Sequence, residues 1–303
     1  MYRLFSQIRL FSLVLMTIFV SSCGSGDDGI TTTPVPPVDL GEQALIDDAA
    51  ILEFLNTHFY NQEDFVNPPP GFNFDIEFDT IAGENTNKTP LIDLVEKKTF
   101  AIDSVTLNYY VLKAREGVNK RPNFVDSTLV NFRGTLLNSN LFDSNANPIW
   151  FDLTQVVVGF RLILTELKSA DGFDLNPDGT STFFNFGVGA VFFPSALGFQ
   201  NITQPGIPAN SPLIFRVKLF AAIEADHDLD GIPSFIEDLN GNENIGDDDT
   251  DGDGFPNFID TDDDGDFILT RNEITINADG TITFTDCDGD GIPDYLDKDI
   301  CPN

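Results

Sequence analysis

Apolar residues recur at helical spacing from Ala44 to Tyr60, with Leu45, Leu52, Leu55 and Phe59 falling on one face. That stripe predicts a helix that packs against a main domain, with His58 in a structural role. Pro68, Pro69, Pro70 and Gly71 interrupt the pattern. From Phe72 to Phe78 the period changes to two. Phe72, Phe74, Ile76 and Phe78 alternate with Asn73, Asp75 and Glu77, which predicts a strand with one buried face. Strands are also predicted over Val105 to Ala114, Thr128 to Leu137, Ala190 to Phe193 and Leu213 to Ile223, and a short helix over Gln155 to Leu167. A sheet packed on one short helix is an α+β arrangement. Between Leu167 and Gly189 the run D-G-F-D-L-N-P-D-G-T-S-T predicts a surface hairpin with its tip at Asn176 to Gly179.

The amino terminus changes the picture of where the chain works. Arg3 and Arg9 precede an apolar run from Leu10 to Val20, and V-S-S-C ends at Cys23. Residues 1–22 read as a signal peptide. Small residues before a cysteine resemble a bacterial lipobox, which implies cleavage before Cys23 and lipid on its sulfur. The other readings are an uncleaved anchor or a conventional signal cut at the serines. The apolar run is short for a bilayer span. Gly, Ser, Thr and Pro dominate residues 23–42, which read as a flexible tether. The expected location is the bacterial cell envelope, lipid-anchored at the outer membrane, on the periplasmic side or exposed at the surface, with a lipid bilayer as partner.

Charge separates a second module. The 303-residue chain is 41% apolar, yet 49 acids face 16 bases for a formal net charge of -33. About half of the acids lie from Asp226 onward, where only Arg271 and Lys298 are basic. Such a chain repels nucleic acid and attracts divalent cations. No nucleotide loop, catalytic triad or zinc spacing is present. Four runs of alternating aspartates lead into a glycine: Asp226, Asp228 and Asp230; Asp249, Asp251 and Asp253; Asp260, Asp262 and Asp264; Asp286, Asp288 and Asp290. Asn257, Asp294 and Asp297 stand at later positions of these runs. Alternate carboxylates before a glycine wrap a loop around a hard cation, and calcium takes six to eight oxygens. Standard EF-hands are not expected, because the twelfth residue from Asp260 is Arg271, with Glu273 two further on. Ser234 and Glu237 make the first run the least regular. Asp238, Asn240, Asn242 and Asn244 form a weaker fifth candidate. The D-x-D-x-D-G form resembles the type 3 repeats of thrombospondin, in which calcium largely replaces an apolar core. Cys287 and Cys301 flank the last run and, in an exported protein, are expected to form a disulfide.

The middle of the chain carries a further resemblance. In order, it reads V-N-F-R-G (Val130 to Gly134), L-F-D-S (Leu141 to Ser144), V-V-V-G-F (Val156 to Phe160), F-P-S-A-L-G (Phe193 to Gly198) and I-P-A-N-S-P-L-I-F-R-V (Ile207 to Val217). In order and spacing these pieces resemble the FKBP-type peptidyl-prolyl cis-trans isomerases. The resemblance implies an antiparallel sheet wrapped around a short helix over residues 105–225. Residues 43–104 become an N-terminal extension and residues 226–303 an irregular calcium-loop segment. It implies isomerisation of proline-containing polypeptides in an aromatic bowl, with no cofactor for the reaction. Phe142 would form a side wall, Asp143 the adjacent acid, and Val156 and Val157 the mouth. Phe160 would be the floor, and Ile207 and Phe215 would complete the wall. Ile149 or Trp150 would take the remaining aromatic position. Relatives carry tyrosine at the positions of Phe132 and Leu197, so a reduced activity is expected. The alternative is a calcium-stabilised surface lipoprotein whose FKBP-like domain is a weakly active or inactive binding module.

Overall fold

This computed structural model describes residues 38–69 and 71–298. The expected signal peptide, Cys23, most of the tether and Cys301 lie outside the described residues. No helix among the described residues is long and apolar enough to cross a membrane.

The chain enters through α1 (Leu40–Thr57), whose first turn is capped by Asp39 accepting from the Glu42 N–H at 3.0 Å. A short strand β1 (His58–Tyr60), a one-turn helix α2 (Gln62–Val66) and β2 (Phe78–Thr80) follow, with β1 and β2 paired. The main sheet then begins with β3 (Glu96–Ile102) and β4 (Val105–Arg115). It continues through β5 (Ser127–Leu136), β6 (Leu141–Ser144) and β7 (Ile149–Asp152). After α3 (Val158–Leu164) come the hairpin β8 (Gly172–Leu175) and β9 (Ser181–Phe184), then β10 (Gly187–Phe193) and β11 (Leu213–Ile223). A last hairpin, β12 (Ile274–Ile276) and β13 (Ile282–Phe284), lies in the acidic tail. The main sheet runs β3-β4-β10-β11-β5-β6, with β7 paired to the other half of β5, and every pairing is antiparallel.

Strand alternation sends side chains to two faces, and both are buried. On one face Tyr109, Val111, Val191, Phe193, Phe215 and Val217 pack under Phe160, Ile163 and Leu164 of α3. On the other, Tyr110, Leu112, Ala190, Phe192 and Ile214 pack under Ile51, Phe54 and Leu55 of α1. The N-terminal helix therefore serves as the second cover of the sheet. His58 ends that helix, stacked on Phe54 with ring centroids 3.8 Å apart.

Three expectations are corrected. The buried face of α1 is Asp47, Ile51, Phe54 and Leu55, whereas Leu45 is 74% exposed and Phe59 belongs to β1. The alternating stretch from Phe72 is not a strand before Phe78; Phe74 has φ of 58° and turns the chain. Side chains of β11 hold it instead: Arg216 donates to the Ile76 carbonyl at 2.9 Å and Lys218 to the Asn73 carbonyl at 2.6 Å. The sheet also starts earlier than residue 105, because β3 supplies its edge. The expected hairpin after Leu167 is present as β8 and β9, closed at Asn176 to Gly179.

Asp47 is a polar bolt between α1 and the turn that follows β10. It is 1% exposed and accepts from the Ser195 N–H at 2.7 Å, the Ser195 hydroxyl at 2.6 Å and Gln43 Nε2 at 2.7 Å. Burial pushes its carboxyl up from the ordinary value, against those hydrogen bonds. Replacing Asp47 by Ala leaves buried donors without a partner, at a cost of about 1–3 kcal/mol. Urea unfolding should show the midpoint lowered accordingly in Asp47→Ala and less so in Asp47→Asn. An unchanged midpoint in Asp47→Ala would remove this contact from the account of stability.

Candidate functional site

Five phenylalanines meet where α3 begins, against β5, β6, β7 and β11. Phe160 and Phe215 form the base, 3% and 6% exposed, with ring centroids 4.9 Å apart. Phe132 lies 5.5 Å from Phe160, Phe142 5.5 Å from Phe215 and Phe151 5.5 Å from Phe160. The contacts are edge-to-face, the arrangement that ring quadrupoles favour. Phe132, Phe142 and Phe151 are half-buried, as are Val156 and Val157, so they form a rim above the buried base. Ile207 and Leu197, 5% and 1% exposed, sit in the same apolar cluster. The result is an apolar aromatic cluster, buried at its base and half-exposed at its rim.

Local structure explains each position. Gly134 on β5 faces Phe142 and Phe215; a Cβ there would lie 2.5 Å from the Phe142 ring and 2.8 Å from that of Phe215. Only glycine lets both rings close over the strand. Asp152 accepts from the Thr154 N–H at 2.8 Å and starts the turn Leu153–Gln155 that leads to Val156. Val157 is the N-cap residue of α3. Asp143 is exposed beside Phe142 and is paired in register with Gly134.

Trp150 does not join the cluster. It is 49% exposed and stands opposite Leu129, on the face away from Phe132. Phe151, opposite Thr128, takes the remaining aromatic place. The reason is the strand period of two: Trp150 and Phe151 must point to opposite faces. A cleft of about 400 Å³ adjoins Phe132, lined by charged Asp75, Glu77, Arg133, Arg216 and Lys218 together with apolar Phe74, Ile76 and Leu141.

The acidic tail is built from twelve-residue loops in one repeated hydrogen-bond pattern. In the loop from Asp226, the first aspartate accepts from the fourth and sixth N–H groups, at Leu229 and Gly231. The third and fifth each accept from the N–H two residues on. The same pattern recurs from Asp249 and from Asp286. The sixth residue has positive φ in each: Gly231 at 103°, Gly254 at 100° and Gly291 at 101°. The amide-rich stretch from Asp238 follows it with Glu243 at 60°, and a further loop follows it with Phe267 at 76°.

That pattern corrects the frame of the third run. The sixth N–H, at Phe267, bonds Asp262 rather than Asp260, so the loop starts at Asp262 and its twelfth residue is Glu273. By the same count the twelfth residue of the first loop is Glu237. These two loops carry the EF-hand spacing of aspartates at one, three and five and glutamate at twelve. Asn257 and Asp294 are ninth residues, and they accept from the second N–H of their loops at 3.0 and 2.8 Å, closing the loop.

Among the described residues, carboxylate oxygens converge in four places. Asp262, Asp264 and Asp266 form one group, and Asp228, Asp230, Glu237 and Asp263 another. The groups Asp249, Asp251, Asp253 and Asp286, Asp288, Asp290 are more exposed. Burial, with neighbouring carboxylates adding to it, pushes Glu237 up to about 10, Asp263 up to about 9, Glu273 up to about 8 and Asp228 up to about 7. Glu237, Asp263, Asp266 and Glu273 were not among the residues expected from the sequence. Counting twelve from Asp226 and from Asp262 would have found both glutamates. Cys287 is disulfide-bonded; its expected partner, Cys301, lies outside the described residues.

Comparison with known proteins finds FKBP-type relatives. FKBP-type peptidyl-prolyl cis-trans isomerase FkpA of Escherichia coli K12 is 27% identical over 147 residues, 48% of this chain and 48% of the relative. Peptidyl-prolyl cis-trans isomerase Mip of Coxiella burnetii is 29% identical over 119 residues, 38% of this chain and 44% of the relative. The chain thus spans about half the length of the curated relatives it matches. The crystal structure of FkpA from Escherichia coli overlays at a TM-score of 0.34 with 20% identity, covering 60% of this chain and 61% of that one. A family model described as BamM C-terminal matches residues 227–285, within the loop-bearing tail. The described chain carries an α+β domain with a mainly antiparallel sheet and few helices, and in sequence the chain is similar to the FKBP-type peptidyl-prolyl isomerases.

Proposed function

We propose that the protein is a peptidyl-prolyl cis-trans isomerase of the bacterial cell envelope, lipid-anchored through Cys23, with a calcium-binding tail. The observation that carries the isomerase reading is the ring of Phe132, Phe142 and Phe151 above Phe160 and Phe215. Rotation about the bond before proline crosses a barrier of about 18–20 kcal/mol with no bond broken. An enzyme accelerates it by binding the twisted amide better than the planar one. Twisting removes amide resonance and lowers carbonyl polarity, so an apolar hollow favours the twisted form. In this reading the proline ring sits on Phe160 and Phe215, and the Val157 N–H holds the peptide at the mouth of α3. Asp143 orients the amide from the exposed side. The substrates are proline-containing segments of exported polypeptides.

The donors of the tail fit calcium. They are hard carboxylate oxygens at EF-hand spacing, and several are buried without a hydrogen-bond partner. Bound calcium supplies positive charge that holds the loops together. It takes no part in the isomerase step.

Three outcomes test this reading. The full chain should accelerate isomerisation of a proline peptide, and Phe142→Ala should lower kcat/KM by at least about tenfold while the fold is retained, the scale of about 1.4 kcal/mol. Rates equal to buffer for the wild type would reject the enzyme and leave a binding module. Phe132→Tyr restores a hydroxyl at the rim, and a hydrogen bond worth about 0.5–1.5 kcal/mol should raise kcat/KM about two- to tenfold. An unchanged rate would show that the missing hydroxyl does not limit activity.

The third outcome concerns pH. Glu237, Asp263 and Glu273 have folded-state values raised to about 10, 9 and 8. Between about pH 4 and 9 the folded state then binds more protons than the unfolded one, so stability falls as pH rises. It is full below the ordinary carboxylate range and lost as pH passes the raised values. In chelator the Tm should therefore drop from pH 5 to pH 9. Calcium should restore it and release protons on binding. A Tm indifferent to both calcium and pH would reject the metal-binding tail.

A further inference from the structure

The four carboxylates Asp228, Asp230, Glu237 and Asp263 come from two different loops. Asp228, Asp230 and Glu237 are the third, fifth and twelfth residues of the first loop. Asp263 is the second residue of the loop from Asp262, and its side chain reaches back across the tail. One ligand oxygen from each lies within 4.8 Å of the others. Glu237, Asp263 and Asp230 are 1%, 2% and 3% exposed. Burial of this degree without compensation is strongly unfavourable for ionised carboxylates.

Compensation is missing from the protein itself. Both oxygens of Glu237, both of Asp263 and one each of Asp228 and Asp230 have no hydrogen-bond partner. Among the described residues no lysine or arginine forms an ion pair with any of the four. The remaining oxygens of Asp228 and Asp230 bond the N–H groups of Asp230 and Ile232, which fixes both side chains in place. Asp263 is held from behind, its N–H donating to the Thr270 hydroxyl at 3.1 Å. One oxygen from each of the four residues therefore converges on a common point, with further unpartnered oxygens on Glu237 and Asp263 beside it. Calcium accepts about six to eight oxygens, whereas magnesium retains several waters and needs a near-octahedral set.

We propose that these residues form a composite calcium site, shared between the first loop and the loop from Asp262, that staples the two together. The proposal rests on the calcium reading of the tail and goes beyond it, since a ligand at the second position of a distant loop belongs to no single-loop site. Tyr295 gives it a spectroscopic handle. Its ring is 4% exposed and packs with Ile232 of the first loop. It is also the single tyrosine of the tail.

The test uses the full chain, stripped with chelator, and titrated with calcium by calorimetry and with terbium by luminescence excited through tyrosine. Asp263→Asn and Glu237→Gln should each lose one bound calcium or weaken it at least tenfold, and should lower the tyrosine-sensitised emission. Asp288→Asn, in the exposed last group, should leave that site filled. Tyr295→Phe should keep the calcium stoichiometry while the emission of the tightest ion falls. Should the Asp263 and Glu237 variants not fold, the wild type and Tyr295→Phe decide alone: unchanged emission from the tightest ion overturns the proposal. Calcium binding by wild type with Asp263→Asn indistinguishable from it, within about twofold, would reject the shared site and keep the loops. No calcium binding by wild type would reject the calcium reading of the tail as well.

Discussion

The structure depends on a sheet that is apolar on both faces. All seven residues of β10 are buried, so neither face of the central strands can meet water. One face is covered by the eighteen residues of α1, the other by the seven of α3. Seven helical residues span about 10 Å, whereas six strands about 4.8 Å apart present roughly 25 Å of sheet. The short helix covers β10 and β11 and falls short over β5, β6 and β7. Phenylalanines fill that shortfall, buried at the base and half-open at the rim. The aromatic cluster is thus the uncovered end of the smaller cover, and its chemistry is that of an apolar surface with a fixed shape.

The larger cover is fixed to the turn after β10. Asp47 does this from α1, gripping Ser195 in the turn that also carries Leu197. A buried carboxyl fully matched by donors is specific in a way that apolar contacts are not, because displacement leaves donors unpaired. The N-terminal helix is therefore part of the platform on which the late loop of the cluster rests.

The sequence made most of the sheet legible because alternation and family-like motifs point the same way at β4, β5 and β11. It misled where alternation had another cause. Between Phe72 and Phe78 the polar residues alternate because Asp75 and Glu77 meet Lys218 and Arg216, and the rings of Phe72 and Phe74 meet Phe65. Trp150 was the more conspicuous ring, but the face of β7 is fixed by parity with β5, which a local reading of I-W-F does not reveal. In the tail, aspartates stand at 260, 262, 264 and 266, so a period of two leaves the start of the loop undefined. Only the distant glutamate, eleven residues on, fixes the phase. The link between Asp263 and the first loop is a tertiary contact, and no local pattern encodes it.

The tail and the cluster share a short piece of chain. The first loop begins three residues after β11 ends, and the Ala225 N–H reaches Asp126, which is fully buried. The Asp126 carbonyl accepts from the Leu153 N–H at 3.1 Å, at the start of the turn before Val156. His227 Nε2 lies 3.4 Å from Asp152, the residue that begins that same turn. Arg161 of α3 donates to the Glu243 carbonyl, in the amide-rich stretch from Asp238, at 3.2 Å. Segments beside the turn before Val156 are therefore braced from outside by these loops. The apolar core of the tail is small, Ile232, Ile274 and Tyr295 with their neighbours and the buried Ile245, so the tail leans on the main domain through polar contacts. Those contacts meet the main domain at Asp126 and Asp152, on either side of the turn that leads to Val156 and Val157.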